Sequence, residues 1–278
     1  MTIGFSRRVA IASLASAAGL ALGPSVAFAG ELDAYFKASN PASTTVIDHG
    51  AWSAFLGKYV VRSADGINRL AYSKVSPADK QALKTYLRLL QTIRVAALKS
   101  EEQRAFWANL YNALTLDVVL DHYPVKSIKD ISLGGGLFAS GPWSKPLVTI
   151  EGKQLSLDNI EHDILRKVWH DPRTHYSVNC ASLGCPNLMP VAYAGATLDA
   201  MLTQGARDYI NHPRGVRVTG QKVQLSRIYS WFSEDFGSSD NAVLAHLKIF
   251  AAPILKAELD SVQSISGYDY DWSINDAR

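Results

Sequence analysis

Ser100-Glu101-Glu102-Gln103-Arg104-Ala105-Phe106-Trp107-Ala108-Asn109-Leu110-Tyr111-Asn112-Ala113-Leu114-Thr115-Leu116-Asp117-Val118-Val119-Leu120-Asp121-His122-Tyr123-Pro124 is the stretch on which the fold turns. Ser100 with Gln103 has the form of a capping box, so the spacing predicts a helix starting at Ser100. Phe106, Trp107, Leu110, Leu114 and Val118 then leave apolar groups on most sides of that helix. A helix of that kind belongs in the middle of a fold, not on its surface. Tyr123-Pro124 ends it. Asn109 and Asn112, three residues apart, share one face and must find partners once buried. They either hold neighbouring backbone or shape a site by donating to a carbonyl or an oxyanion.

Upstream, Ser76-Pro77-Ala78-Asp79 supplies a cap, a proline at the first helical position and an acid in the first turn. Leu83, Tyr86, Leu87, Leu90 and Ile93 follow at helical spacing. Downstream the pattern is mixed. Leu147–Ile150 and Lys153–Leu155 around Glu151-Gly152 predict a hairpin, as do Val216–Val218 and Val223–Leu225 around Gly220. Ser156 opens a helix carrying Leu157, Ile160, Ile164 and Val168, and His170-Asp171-Pro172 ends it. His175–Asn179 alternates like a strand. Thr197–Ile210 is a further helix, with others around Trp231 and over Leu244–Leu255. The tail Tyr268–Asn275 is polar and aromatic, and Gly134-Gly135-Gly136 marks a loop without the spacing of a phosphate-binding motif. The expected class is α+β: one mainly helical domain with a small, mostly antiparallel sheet.

The chain has 278 residues, 47% hydrophobic and 19% charged, with a formal charge of +3. Disorder would need fewer apolar residues and more net charge. So small an excess of positive charge does not argue for a nucleic-acid partner. Two cysteines exclude a disulfide scaffold or an all-cysteine metal site. Residues 1–29 carry only Arg7 and Arg8 as charges, then an apolar run from Val9 to Leu22, then Ala27-Phe28-Ala29. That order is the form of a secretory signal peptide, and the run is too short and too rich in alanine for a membrane span. Ser6-Arg7-Arg8 leaves twin-arginine export open. The expectation is an exported, periplasmic or extracellular protein with one domain over residues 30–278 and no integral membrane segment after cleavage.

Polar chemistry concentrates between Asp158 and Pro186. A cysteine nucleophile needs a lowered pKa or an adjacent base. Cys180 with His162 as base and Asp158, four residues earlier on the same helix face, as orienter forms one such set. His175 would point away from Cys180 if the strand between them were regular, because their separation is odd. Other readings stay open. Cys180 and Cys185 suit a disulfide in an exported chain; Cys180 suits an inert core thiol; and His175, Cys180 and Cys185 share a spacing that matches no familiar zinc finger. No cofactor is implied. Acids beside aromatic residues, such as Glu234, Asp235, Asp269, Asp271 and Asp276, read first as caps or partners of arginine.

Five segments in order carry a resemblance. They are Phe106-Trp107-x-Asn109-Leu110-Tyr111-Asn112-Ala113, Leu155-Ser156-Leu157-Asp158-x-Ile160-Glu161-His162, His175-x3-Asn179-Cys180-Ala181-Ser182-x2-Cys185-Pro186, Trp231-Phe232-x-Glu234-Asp235-Phe236 and Tyr270-Asp271-Trp272-Ser273-Ile274-Asn275. Together the chain resembles the domain of unknown function 547 family of exported bacterial and some plant proteins, over roughly residues 50–275. The resemblance attaches no activity, substrate or cofactor. It implies a pattern of positions: Asn109, Asn112, Glu161, His162, His175, Asn179, Cys180, Cys185 and Asp235. Buried polar residues gathered in this way suit a site, and a thiol-dependent hydrolase or acyl transferase acting on an amide or thioester is the function expected of it. A non-catalytic exported binding domain stapled by Cys180–Cys185 is the alternative.

Overall fold

The computed structural model describes residues 29–133 and 141–277. The signal-peptide reading of the N-terminus and the glycine loop at 134–136 fall outside the described residues. Within them, helices α1 (Ala29–Phe36) and α2 (Gly50–Tyr59) precede a short antiparallel pair, β1 (Val60–Arg62) and β2 (Asn68–Leu70). Helix α3 (Pro77–Leu90) starts as its sequence predicts: the Ser76 hydroxyl accepts the Asp79 N–H at 3.1 Å, with Pro77 in the first turn. Its Leu83, Tyr86, Leu87 and Leu90 are buried against α4 (Ser100–His122).

The central helix is α4. Phe106, Trp107, Leu110 and Val119 are fully buried, and only the ends and Asp117 escape burial. Its expected capping box does not form. Ser100 Oγ instead accepts Trp169 Nε1–H at 3.0 Å, and Gln103 Nε2 donates to the carbonyls of Ala38 and Val95. Both polar residues at this helix start are therefore spent on tertiary contacts. Arg104 pairs with Asp171 at 2.8 Å and donates to Thr174 Oγ1 at 3.0 Å, tying α4 to the turn that carries His175.

The hairpin β3 (Val148–Ile150) and β4 (Lys153–Leu155) leads into a helix over residues 157–169. Its stretch Asn159–Leu165 is π-helical and its last turn is α5 (Arg166–Trp169). Ser156 Oγ accepts the Asn159 N–H while Asn159 Oδ1 accepts the Ser156 N–H, a reciprocal cap. The predicted strand at His175–Asn179 is absent. Pro172–Tyr176 is a 3₁₀ turn opened by Asp171, whose carboxylate accepts the Arg173 N–H. Residues 177–186 form a loop whose backbone groups meet side chains in its first half and the C-terminal segment in its second.

Helix α6 (Leu198–Ile210) precedes β5 (Val216–Thr219) and β6 (Lys222–Ser226), antiparallel across the turn at Gly220. After the short α7 (Ile228–Trp231), the expected single helix over Leu244–Leu255 is two. α8 (Asp240–Phe250) stops before Pro253, which opens α9 (Pro253–Asp260) because proline can begin a helix but not continue one. Strand β7 (Ser264–Asp269) then pairs parallel with β6. The other strand pairs among the described residues are antiparallel, so the expected α+β class with a small, mostly antiparallel sheet holds.

One apolar core surrounds α4; a second lies between the β5–β7 sheet, α6 and α8. The loop 177–186 runs between them, and residues 270–277 cross back over it. Leu183 N–H donates to Ser273 O and Gly184 N–H to Asp271 O, both at 2.8 Å, and Asn275 N–H donates to Ala181 O at 3.0 Å. A Cβ at Gly184 would lie 2.8 Å from Asp271 N and 2.9 Å from its carbonyl oxygen. Gly184→Ala is therefore expected to part these two segments at a cost of about 1–3 kcal/mol, read as a lowered urea midpoint. An unchanged midpoint would show that the crossing tolerates a methyl group.

Candidate functional site

The thiol loop, the π-helical stretch and the C-terminal crossing enclose a cavity of about 200 Å³. Cys180, Cys185 and Tyr270 line one side of it; Glu161, His162, His175 and Asp158 line another, and Trp143, Trp231, Phe232 and Trp272 close it. A wider groove of about 880 Å³ lies on the far side of Leu183, but neither cysteine nor histidine lines it.

Two asparagines build the thiol loop. Asn112 Nδ2 donates to Ser177 O and Asn112 Oδ1 accepts the Asn179 N–H, both at 2.8 Å. Asn179 passes the restraint onward. Its Oδ1 accepts the Ala181 N–H at 2.8 Å and its Nδ2 donates to Pro186 O at 2.7 Å, so one amide spans both ends of the turn. Ala181 is held at φ +60°, a left-handed backbone that a non-glycine residue adopts only when its surroundings impose it. Asn109 does the same work farther away, exchanging hydrogen bonds with Tyr193 N–H and O. None of the three amides lines the cavity. They position its walls.

That turn brings the two sulfurs together. Both are free thiols, Cys180 partly exposed and Cys185 buried. Cys180 N–H donates to Cys185 Sγ at 3.0 Å, and the Tyr270 hydroxyl lies 3.2 Å from Cys180 Sγ and 3.0 Å from Cys185 Sγ. Ser182 Oγ joins them at 3.3 and 3.5 Å. Burial pushes the Cys185 thiol up, but donors from Cys180, Ser182 and Tyr270 outweigh it and bring its pKa down to about 6. Cys180, hydrogen-bonded to that thiolate and partly buried, is pushed well up. Tyr270 stays a neutral donor, since burial and the neighbouring thiols oppose its ionisation.

Behind the loop stands Arg214, whose guanidinium donates to Leu183 O at 3.1 Å and Asn187 Oδ1 at 2.6 Å and lies over the Tyr209 ring. No carboxylate lies within ion-pair distance of it among the described residues. Burial lowers its pKa, and the charges of Cys185 and Tyr270 work against that.

On the imidazole side, the tighter pair is not the one that sequence spacing suggests. His162 and Asp158 do meet, at 3.6 Å, but both sit partly exposed at the rim, and His162 Nδ1 faces Arg166 Nη1 at 3.5 Å. His175 is buried, its Nε2 is 2.7 Å from Asp235 Oδ2 and its Nδ1 is 4.0 Å from Glu161. Its ring stacks on Phe232 with centroids 4.3 Å apart. Because residues 172–176 are a turn and not a strand, the odd separation of His175 and Cys180 no longer sends them apart, and both reach the same cavity. Burial raises Asp235, yet hydrogen bonds from His175 and Arg166 bring it down to about 2. Asp158 is raised by burial. Tyr111, from α4, places its hydroxyl beside Glu161 and within the field of both thiols.

Asp235, Tyr270, Tyr111 and Arg214 are the residues that reading the spacing alone passes over. Asp235 does pair with an arginine, as acids near aromatic residues do, and it holds His175 as well. Residues 95–210 match the family described as protein of unknown function, DUF547. No curated protein and no solved structure matches the chain. The matched segment holds α4, the π-helical stretch and both cysteines; beyond it, Tyr270 lines the same cavity and Asp235 holds His175 there. Among the described residues, no helix is long and apolar enough to cross a membrane, and no three His, Cys, Asp or Glu side chains converge as metal ligands.

Ultraviolet thiolate absorbance should rise with a midpoint near 6, well below the free-thiol value of about 8.5. Tyr270→Phe and Arg214→Gln should each raise that midpoint, by about 1 pH unit. A wild-type midpoint at the free-thiol value would remove the hydrogen-bonded thiolate. His246, in the second core, lies 2.9 Å through Nε2 from the Tyr176 hydroxyl and is lowered by burial from 6.5 to about 4. Its neutral form is the one that the fold favours, so the unfolded chain binds more protons between those values. Stability should be full above pH 6.5 and fall by up to about 3 kcal/mol as pH drops toward 4. Denaturant midpoints across that window should show a slope that flattens in His246→Gln.

Proposed function

We propose that this cavity is the centre of an exported thiol-dependent hydrolase or acyl transferase acting on an amide or thioester. The observation that carries the reading is that two free thiols and a histidine held by Asp235 from behind line one aromatic-walled cavity. Cys180, the more accessible sulfur, is the nucleophile. Its thiol gives a proton to the Cys185 thiolate as the sulfur adds to the acyl carbon, and the Tyr270 hydroxyl donates to the oxyanion that forms. Collapse breaks the C–N or C–S bond, and Cys185 returns the proton to the departing nitrogen or sulfur. His175, held through Nε2 by Asp235, takes a proton from water at Nδ1. The resulting hydroxide releases the acyl group from Cys180, to which His175 hands the proton back. An amine or thiol in place of that water makes the reaction a transfer.

His175 is a better base than His162 on geometry, since its carboxylate partner is at 2.7 Å against 3.6 Å and it is shielded from solvent. His162 and Asp158 at the rim then face the leaving group. Export rests on the basic, apolar and small-residue order of residues 1–29.

With p-nitrophenyl acetate the wild type should release a stoichiometric burst of nitrophenolate and carry an acetyl adduct on the peptide containing Cys180. Cys180→Ala should lose both. Tyr270→Phe should acylate about 100-fold more slowly. His175→Gln should keep the burst and slow the following turnover about 100-fold. An undiminished burst in Cys180→Ala ends this reading. The binding-domain reading, with Cys180 and Cys185 joined, draws on one observation: both sulfurs touch the same Tyr270 hydroxyl. Intact mass after alkylation separates the two, because a bridged protein takes label only after reduction.

A further inference from the structure

The charges facing the cavity are one-sided. Asp158 and Glu161 line it, while neither lysine nor arginine does among the described residues, and the undescribed residues 134–140 carry no charge. Arg166, the nearest cation, is taken up at 2.5 Å by both Asp235 and Glu234. Glu161 is only 9% exposed, yet its nearest basic neighbour is His175 Nδ1 at 4.0 Å. Among the described residues, the ion-pair partner of Asp158 is His162. The Tyr111 hydroxyl and the two imidazoles offset part of the cost of holding two carboxylates in a largely apolar cavity, and a bound cation would offset more of it.

The opposite wall is aromatic. Lys129 already lies over Trp272 and Arg166 over Phe232, at 5.1 and 4.9 Å. Trp143 and Trp231 have no such cation among the described residues, and Trp231 is 43% exposed at the mouth. Indole faces attract an ammonium group and stack on apolar stems with equal ease. An anionic substrate would meet Asp158 and Glu161 directly, and a neutral ring would leave them uncompensated.

We infer that the substrate carries an alkylammonium side chain on the carbon that bears its acyl group, the stem against Trp231 and the charge toward Glu161 and Asp158. This rests on the thiol-enzyme reading only for the word substrate; the cation site itself needs no chemistry at sulfur. The test is therefore a binding measurement on Cys180→Ser protein. Tryptophan fluorescence is followed against Nα-acetyl-lysine N-methylamide, its neutral norleucine counterpart and its anionic glutamate counterpart. The lysine probe should bind about tenfold or more tighter than the norleucine one, weakening with added salt, and the glutamate probe should not bind. Trp231→Ala and Glu161→Gln should each bring lysine and norleucine close to parity. Should Glu161→Gln not fold, Asp158→Asn at the rim reads the same charge. Equal binding of lysine and norleucine, preference for glutamate, or binding of none of the three overturns the inference. Loss of the acetyl burst with the lysine preference intact fells the thiol enzyme and keeps the cation site; a burst without that preference does the reverse.

Discussion

A loop buried between two apolar cores must have its N–H and C=O groups met by something, and the C-terminal segment meets those of Ala181, Leu183 and Gly184 but not those of residues 177–180. Asn112 and Asn179 answer that constraint. One amide from the central helix takes Ser177 O and Asn179 N–H; the next takes Ala181 N–H and Pro186 O. Side-chain amides can do this because each carries a donor and an acceptor in fixed opposition. Everything chemical about the site follows from the turn they impose. Cys180 N–H is turned onto Cys185 Sγ, Ala181 is held in a left-handed conformation, and Gly184 passes under the C-terminal segment with no room for a methyl group.

The same constraint explains why the polar residues of α4 act at a distance from the chemistry. Gln103, Arg104, Asn109 and Asn112 each hold a different segment: the start of the helical half, the 172–176 turn, the 193 backbone and the thiol loop. A helix that is apolar on nearly every side can display few polar groups. Those that it keeps become the points where the rest of the chain is registered against it. The His175 turn and the Cys180 loop are thus referred to one rigid element, which is what a nucleophile and a base arriving from separate segments require.

What could be read along the chain was what neighbours along the chain determine. The Ser76-Pro77 start of α3, the hairpins at Glu151-Gly152 and Gly220, and the burial of α4 are set by local backbone preference and by periodicity over a few turns. The site was legible as a set of residues, because Cys180, Cys185, His162, His175 and Glu161 crowd into a short span and all line one cavity. Their pairing was not. Strand parity, applied to His175–Asn179, turned His175 away from Cys180, but parity holds only where the backbone is extended, and Pro172 with Asp171 makes a turn there instead. The partners that decide ionisation come from far along the chain. Asp235 lies 60 residues beyond His175 and Tyr270 lies 85 beyond Cys185. No local rule joins them, nor the parallel pairing of β6 with β7 that delivers Tyr270 to the loop.

The two halves of the site are also kept electrically distinct. Asp235 is neutralised where it stands, by His175 on one side and Arg166 on the other, so its charge is spent on holding an imidazole. Glu161 and Asp158, on the same helix as Arg166, are left without that partner because the arginine is already engaged. Across the cavity, the thiolate is stabilised by neutral donors, Tyr270, Ser182 and a backbone N–H, rather than by a lysine or arginine at contact distance. Neutral donors favour the anion without locking the sulfur into an ion pair, and Arg214 adds its charge only from behind the loop. A thiolate held by neutral donors in this way lies beside the Cys180 thiol, placed to take its proton. The cavity therefore sets a sulfur held by neutral donors opposite carboxylates that have no lysine or arginine partner, and a cation for them is what an incoming molecule would have to bring.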